Sequence, residues 1–303
     1  MLSRLMLLAF VASLKLIIFA TSAVAILSAS APARSAEVLP YHVETRGEGR
    51  PVYLIPGLAS PGSVWDDLAE RLRGQGYQTR VLTLAGFAGQ PPLEGDAFLP
   101  VVRDALAAEI EALEGPKPVV VGHSLGGFMA FWLAATVPDA VAGIVAVDGV
   151  PYLGALTNPA ASPASMAEQA RQIDEFMSSL TPEQYAAQNR AALSGMVTAS
   201  ADAERVARAG GQSSPAAVGT AVAEIMTTDI RPLMPEIRAP AVLIQAADAG
   251  ASESGRKAYA AQVASIPNIV HVVAEKGRHF VQLDDPEFVA KQVLALLRRI
   301  ENE

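Results

Sequence analysis

Pro118 to Val121 is an apolar, largely β-branched run that ends on Gly122-His123-Ser124-Leu125-Gly126, and a helical pattern begins at once after it. A chain can turn from strand to helix that sharply only if the residues two before and two after the serine lack side chains, which would otherwise collide. This G-x-S-x-G elbow therefore commits the chain to a strand followed by a helix packed against it. The Ser124 hydroxyl is displayed at the strand's end, next to the unpaired N–H groups of the helix N-terminus. Phe128, Met129, Phe131, Trp132 and Leu133 carry the helical pattern, which stops near Pro138.

The rest of the chain supplies more of the same alternation. Val38 to Glu44 alternates apolar and polar residues, Arg46 to Arg50 is a turn, and Pro51 to Ile55 is a second strand, which together predict a hairpin. A loop at Pro56-Gly57-Leu58 leads to a helix with Trp65, Leu68 and Leu72, then to a strand over Thr79 to Leu84 and an amphipathic helix over 96–114. Ala142 to Val147 is a nearly continuous apolar run, as expected of a strand buried on both faces of a parallel sheet. Residues 152–235 break the rhythm: they hold helical patterns and no convincing strand, together with Met166, Met177, Met196, Met226 and Met234, five of the eight methionines. Methionine there fits either core filling or an adaptable apolar lid over a pocket. Alternation resumes with a strand over Ala241 to Ala246, a helix near Arg256 to Ala264, a strand over Ile269 to Val273, and a last helix opened by Asp285-Pro286-Glu287.

Composition narrows the functions. A net charge of −8 without a long basic run argues against nucleic acid as a partner. With no cysteine, the chain has no disulfide, thiol nucleophile or cysteine-ligated metal. Met1 to Arg4 is a short positive start, Leu5 to Leu27 is mostly apolar, and Ser28 to Ala36 is rich in small residues. The pattern is that of an export signal, with Ala31-Pro32-Ala33 or Ala36 as the cleavage end. Uncleaved, the same segment is long enough to anchor the protein in a membrane. Residues 1–36 are accordingly set apart from the fold, and the mature protein is expected in the periplasm or outside the cell.

A serine hydroxyl needs a base within hydrogen-bond reach to act as a nucleophile. Of four histidines, His42 and His271 fall inside strands, and His123 sits at a motif position whose side chain points away from the serine. His279, in Lys276-Gly277-Arg278-His279-Phe280, lies in the loop between the last strand and last helix. In a parallel sheet with right-handed crossovers that loop emerges at the same edge as the Ser124 turn.

At this point the chain resembles the α/β-hydrolase superfamily over residues 38–148 and 236–300. The likeness rests on the elbow, on Pro56-Gly57-Leu58 with Trp65 beyond it, and on Gly277-Arg278-His279-Phe280 before the terminal helix. It implies an α/β fold: a mostly parallel central sheet with helices on both faces, residues 37–151 and 236–303 forming the core, and a helical cap, residues 152–235, inserted after the sixth core strand. It also implies a Ser124, acid, His279 order along the chain and an oxyanion hole from the backbone N–H groups of Leu58 and Leu125. The acid has two candidates. Family members usually place it after the strand that here runs from Ala241 to Ala246, which favours Asp248; a minority place it one strand earlier, where Asp148 stands.

Serine as nucleophile points to esters, thioesters, lactones or amides. No arginine cluster suggests a phosphorylated or CoA-bearing substrate, and the methionine-bearing insertion favours a small molecule with an apolar part. The expectation is thus a carboxylic ester hydrolase needing neither metal nor cofactor. The alternatives are a serine aminopeptidase or amidase, whose amine-binding acid would come from Glu168, Asp174 or Glu175, and a non-catalytic binding protein of the same fold.

Overall fold

The computed structural model describes residues 39–95, 97–156, 158–247 and 253–302. The export segment expected at residues 1–36, and Asp248 with it, lie outside them. Among the described residues no helix is long and apolar enough to cross a membrane.

The described strands are β1 (Tyr41–Arg46), β2 (Pro51–Ile55), β3 (Gln78–Leu84), β4 (Val119–His123), β5 (Gly143–Val147), β6 (Ala241–Ala246) and β7 (Val270–Ala274). They form one seven-stranded sheet in the order β1-β3-β2-β4-β5-β6-β7. Every pairing is parallel except that of β1 with β3. Because successive strand residues face opposite sides, the apolar runs feed two cores. Tyr53, Ile55, Val120, Ile144 and Leu243 point to one face. Val52, Leu54, Val119, Val121, Val145 and Ile244 point to the other. The first is covered by α2 (Leu99–Glu111), α3 (Leu125–Thr136) and α8 (Glu253–Val263), the second by α1 (Asp66–Gly74) and α9 (Pro286–Asn302).

The hairpin expected of β1 and β2 is not formed. β3 lies between them, pairing antiparallel with β1 and parallel with β2. The reason lies in the turn: Gly47 and Gly49 take φ of +81° and +94°, and a Cβ at Gly49 would stand 2.2 Å from the Gly76 carbonyl oxygen. The turn is thus packed on the approach to β3, and this steers β2 to β3's far side. The helix expected over 96–114 is shorter, Leu99–Glu111.

Residues 158–235 hold four α-helices and no strand: α4 (Pro163–Ser178), α5 (Pro182–Met196), α6 (Ser200–Gly210) and α7 (Pro215–Thr227). Three begin on Ser-Pro or Thr-Pro, with Ser162, Thr181 and Ser214 accepting a backbone N–H as N-caps and the proline at N1. Counted on this sheet, the insertion follows the fifth strand, β5, so the sixth-strand count expected above is one too many for the described residues. At the other end Asp285 caps α9, accepting the Phe288 N–H at 3.2 Å.

Candidate active site

Ser124 links β4 to α3 with φ of +53° and ψ of −113°. A positive φ costs a non-glycine residue free energy that only surrounding structure can hold, and here that structure is tight. A Cβ added at Gly122 would lie 1.9 Å from the Gly126 carbonyl oxygen, and one at Gly126 would lie 2.2 Å from that of Ile55. The Ser124 N–H donates to Val147 O at 2.8 Å, tying the elbow to the end of β5. Both motif glycines are therefore required by backbone approach, as the sequence pattern demanded.

The next residue along the neighbouring strand is Asp148, with φ of +46°. Its N–H extends the sheet by donating to Ile244 O at 2.7 Å. Its carboxylate Oδ2 meets His279 Nδ1 at 2.6 Å, with the Asp148 side chain 2% exposed and that of His279 29%. Oδ1 accepts the Ala246 N–H at 3.0 Å and the Tyr259 hydroxyl at 3.1 Å. Asp148 is thus brought to His279; Asp248, the other candidate acid, lies outside the described residues.

His279 is held on both sides. The Phe280 N–H donates to Met196 O at 3.2 Å, and Arg278 Nη1 donates to Ser194 O at 3.3 Å, so the His279 loop is bonded to the end of α5. Its own carbonyl accepts from His123 Nε2 at 2.9 Å. That contact fixes the His123 tautomer with its proton on Nε2, since a carbonyl can only accept. Complete burial, and then the nearby His279, push the His123 pKa well below the usual imidazole range, so His123 is neutral. Its ring also packs on that of Phe280, centroids 4.4 Å apart. His123 supports the His279 loop, in keeping with the packing role expected of it. His271 bonds Gln245 within the sheet at 2.9 Å.

Ser124 and His279 together line two cavities. One, of about 430 Å³, is walled by Asp148, Val150, Leu153, Leu156, Ile225 and Tyr259. The other, of about 310 Å³, includes Leu58, Met177, Tyr185, Leu193, Met196 and Val218. No lysine or arginine lines either cavity among the described residues. Leu58 follows Gly57, where an added Cβ would be 3.3 Å from the Ser124 Cβ, so this loop abuts the serine. Met177 and Met196 face the second cavity, whereas Met226 and Met234 are buried in the core. Of the five, two thus border a cavity and two are buried. Glu168 and Glu175 are exposed partners of Arg171, and Asp174 accepts from Thr220; none of the three lines a cavity.

A serine that lines the same cavities as an imidazole whose Nδ1 meets a buried carboxylate, at one edge of a parallel sheet, is an arrangement suited to covalent hydrolysis. The model of an alpha/beta hydrolase family matches residues 52–292. The chain belongs to the alpha/beta hydrolase family. Among curated relatives of this hydrolase, the pimeloyl-[acyl-carrier protein] methyl ester esterase of Aliivibrio salmonicida is 32% identical over 112 residues, 37% of this chain and 41% of that protein. The chloroplastic pheophytinase of Arabidopsis thaliana is 36% identical over 61 residues, 20% of this chain and 13% of that one. These likenesses thus span less than half of either relative. A thermophilic esterase from Thermogutta terrifontis superposes with a TM-score of 0.71 at 23% identity, covering 86% of this hydrolase and 93% of that chain. The enol-lactonase of Burkholderia xenovorans LB400 does so with a TM-score of 0.69 at 17% identity, covering 85% and 96%. At such identities the two structures establish the shared fold.

Tyr259 was invisible to sequence reasoning. In the sequence it is one aromatic residue in a weakly amphipathic helix, and only the fold carries its hydroxyl to Asp148, 111 positions away.

Proposed function

We propose that this protein hydrolyses a carboxylic ester, thioester or lactone through an acyl-enzyme on Ser124, with His279 as base, Asp148 as the acid behind it, and the Leu58 and Leu125 N–H groups as the oxyanion hole. The observation that carries the reading is the 2.6 Å contact between His279 Nδ1 and Asp148 Oδ2 beside Ser124. With Nδ1–H given to Asp148, the neutral imidazole has its lone pair on Nε2. That nitrogen takes the Ser124 proton as Oγ bonds to the carbonyl carbon, and Asp148 stabilises the imidazolium that results. The carbonyl oxygen becomes an oxyanion held by the two backbone N–H groups; losing one such donor in comparable sites costs about 10²–10³ in rate. His279 then protonates the leaving alkoxide or thiolate as its bond to carbon breaks. Water, deprotonated by His279, adds to the acyl carbon, and Ser124 Oγ departs with the proton restored.

Cavities lined largely by apolar side chains, with neither lysine nor arginine, favour a neutral substrate with an apolar part. The names of the esterase and lactonase relatives support an ester or lactone as the bond cleaved. Nothing observed favours the aminopeptidase alternative, because the cap acids it requires are turned elsewhere. On the pattern of residues 1–36 we place the mature enzyme outside the cytoplasm, which N-terminal sequencing checks: an intact Met1 counts against cleavage.

The main test is chemical. A fluorophosphonate should label Ser124 in the folded protein, and p-nitrophenyl acyl esters should turn over faster than aminoacyl anilides. Asp148→Asn should lower kcat by about 10⁴-fold, while Asp248→Asn should stay within about twofold of wild type. Absence of labelling at Ser124, or full activity in Asp148→Asn, overturns the assignment.

A further inference from the structure

We propose that Tyr259 is a positioning residue for Asp148: its phenol, by holding Oδ1, aims Oδ2 at His279. The inference rests on the triad proposed above. Asp148 follows the last residue of β5 and is almost fully buried, and its carboxylate receives three donors from three separate parts of the chain. Ala246 N–H comes from the end of β6, Tyr259 O–H from α8, and His279 Nδ1 from the loop after β7.

The division between the two oxygens is what matters. A carboxylate rotates easily about its Cβ–Cγ bond, because that torsion is broad and shallow. Two donors converging on Oδ1, at 3.0 and 3.1 Å, set the plane of the group and leave Oδ2 for the imidazole. The Ala246 amide belongs to the sheet backbone and is present whatever the side chain. The phenol is the donor that a side chain contributes, and its ring is buried and forms part of the wall of the larger cavity, beside Ser124. One side chain thus both shapes the place where substrate sits and orients the acid.

Hydrogen bonds to the ionised form of a carboxylate lower its basicity. Removing the phenol makes Asp148 more basic and strengthens its hold on the imidazolium, so His279 stays protonated to higher pH. The acid limb of a kcat/KM profile, which reports the base in the free enzyme, must then move upward.

The experiment compares three forms of the full chain on a p-nitrophenyl ester. Tyr259→Phe, which keeps the ring, should lower kcat about tenfold, the scale of one hydrogen bond to a charged group, with KM within about twofold, and should raise the acid limb by about half a pH unit. Site-specific 3-fluorotyrosine at 259, a more acidic phenol and a stronger donor of the same shape, should move the limb in the opposite direction. Opposed shifts are not expected of a merely structural ring. If Tyr259→Phe fails to fold, the fluorinated protein decides alone. Unchanged limbs in the forms that fold, with Asp148→Asn inactive, overturn the role of Tyr259 and leave the triad standing. An active Asp148→Asn overturns the triad, and the role of Tyr259 with it.

Discussion

Two helices that flank the site are built on opposite terms. In α3, directly after Ser124, ten of twelve residues are buried; in α4 of the cap one of sixteen is, Ala170. Each buried large apolar side chain contributes roughly 1.5–3 kcal/mol, so the core side of the site is held by many groups at once. The later cap helices do bury apolar side chains in the core, Leu193, Val206 and Val218 among them, and polar fasteners add to these. Glu224 of α7 accepts the Phe98 and Leu99 N–H groups at 2.9 and 2.5 Å, acting as an N-cap for α2 from another helix. Ser213 accepts the Ala88 N–H at 2.9 Å. Asp284 accepts both the N–H and the hydroxyl of Thr198 between α5 and α6, at 2.9 and 2.8 Å. Such bonds are worth about 1 kcal/mol each, somewhat more to a charged group. The geometry around Ser124 is therefore over-determined on the core side, and the polar fasteners of the cap can be removed one at a time by single substitutions.

The largest effect that could break this contrast is at the elbow. Gly126→Ala places a Cβ 2.2 Å from the Ile55 carbonyl oxygen, with backbone on both sides and no flexible side chain to give way. The loss should exceed about 4 kcal/mol, read as a collapse of the denaturation midpoint or of soluble yield. A variant with near-native stability would mean that the elbow is not over-determined at all.

That asymmetry also explains what could be read in the sequence. The elbow was legible because its requirement is local: two glycines, two residues either side of a serine, serve a turn that tolerates no Cβ. His279 was legible through topology, since a parallel sheet brings the loops after its strands to one edge. The acid was not. Asp148 and Asp248 follow adjacent parallel strands, and it is the path of the chain after β5, with φ of +46° at Asp148, that turns the Asp148 carboxylate toward His279. The hairpin was misread for a related reason: alternation and a glycine turn specify two strands, but which strand lies between them is decided by packing against Gly76 and Tyr77. Glu224, Asp284 and Tyr259 are not legible because each bonds across 86 to 126 positions and, in sequence, resembles an ordinary helix residue.

A middle-sized effect sharpens the comparison from within the cap. Asp284 does more than hold Thr198, because its Oδ2 also accepts the Arg278 N–H at 2.7 Å, immediately before His279. Asp284→Ala should release the end of α5 and the His279 loop together, lowering kcat about tenfold for a stability loss of about 1–2 kcal/mol. Glu224→Ala breaks a fastener of similar strength on a helix N-terminus that carries no site residue. It should cost a similar 1–2 kcal/mol and leave kcat within about threefold. Steady-state kinetics beside urea denaturation separates the two. Equal effects on kcat would show that cap attachment as a whole, and not the stitch to the His279 loop, sets the rate.

The smallest effect tests the cap's freedom with the same substitution that should ruin the elbow. Gly195 lies near the exposed end of α5, and a Cβ there would meet nothing within 4 Å. Alanine is favoured over glycine in a helix and loses less chain entropy on folding, so Gly195→Ala should stabilise the protein by about 0.5 kcal/mol. In a domain of this size that raises Tm by about 1–2 °C, with activity on esters unchanged. One added methyl group would thus carry opposite signs in the two regions, destabilising where backbone meets backbone and mildly stabilising where the helix faces solvent. A destabilised Gly195→Ala would mean that the cap helix is packed more tightly than its open surroundings imply, and the contrast between the two regions would lose its physical basis.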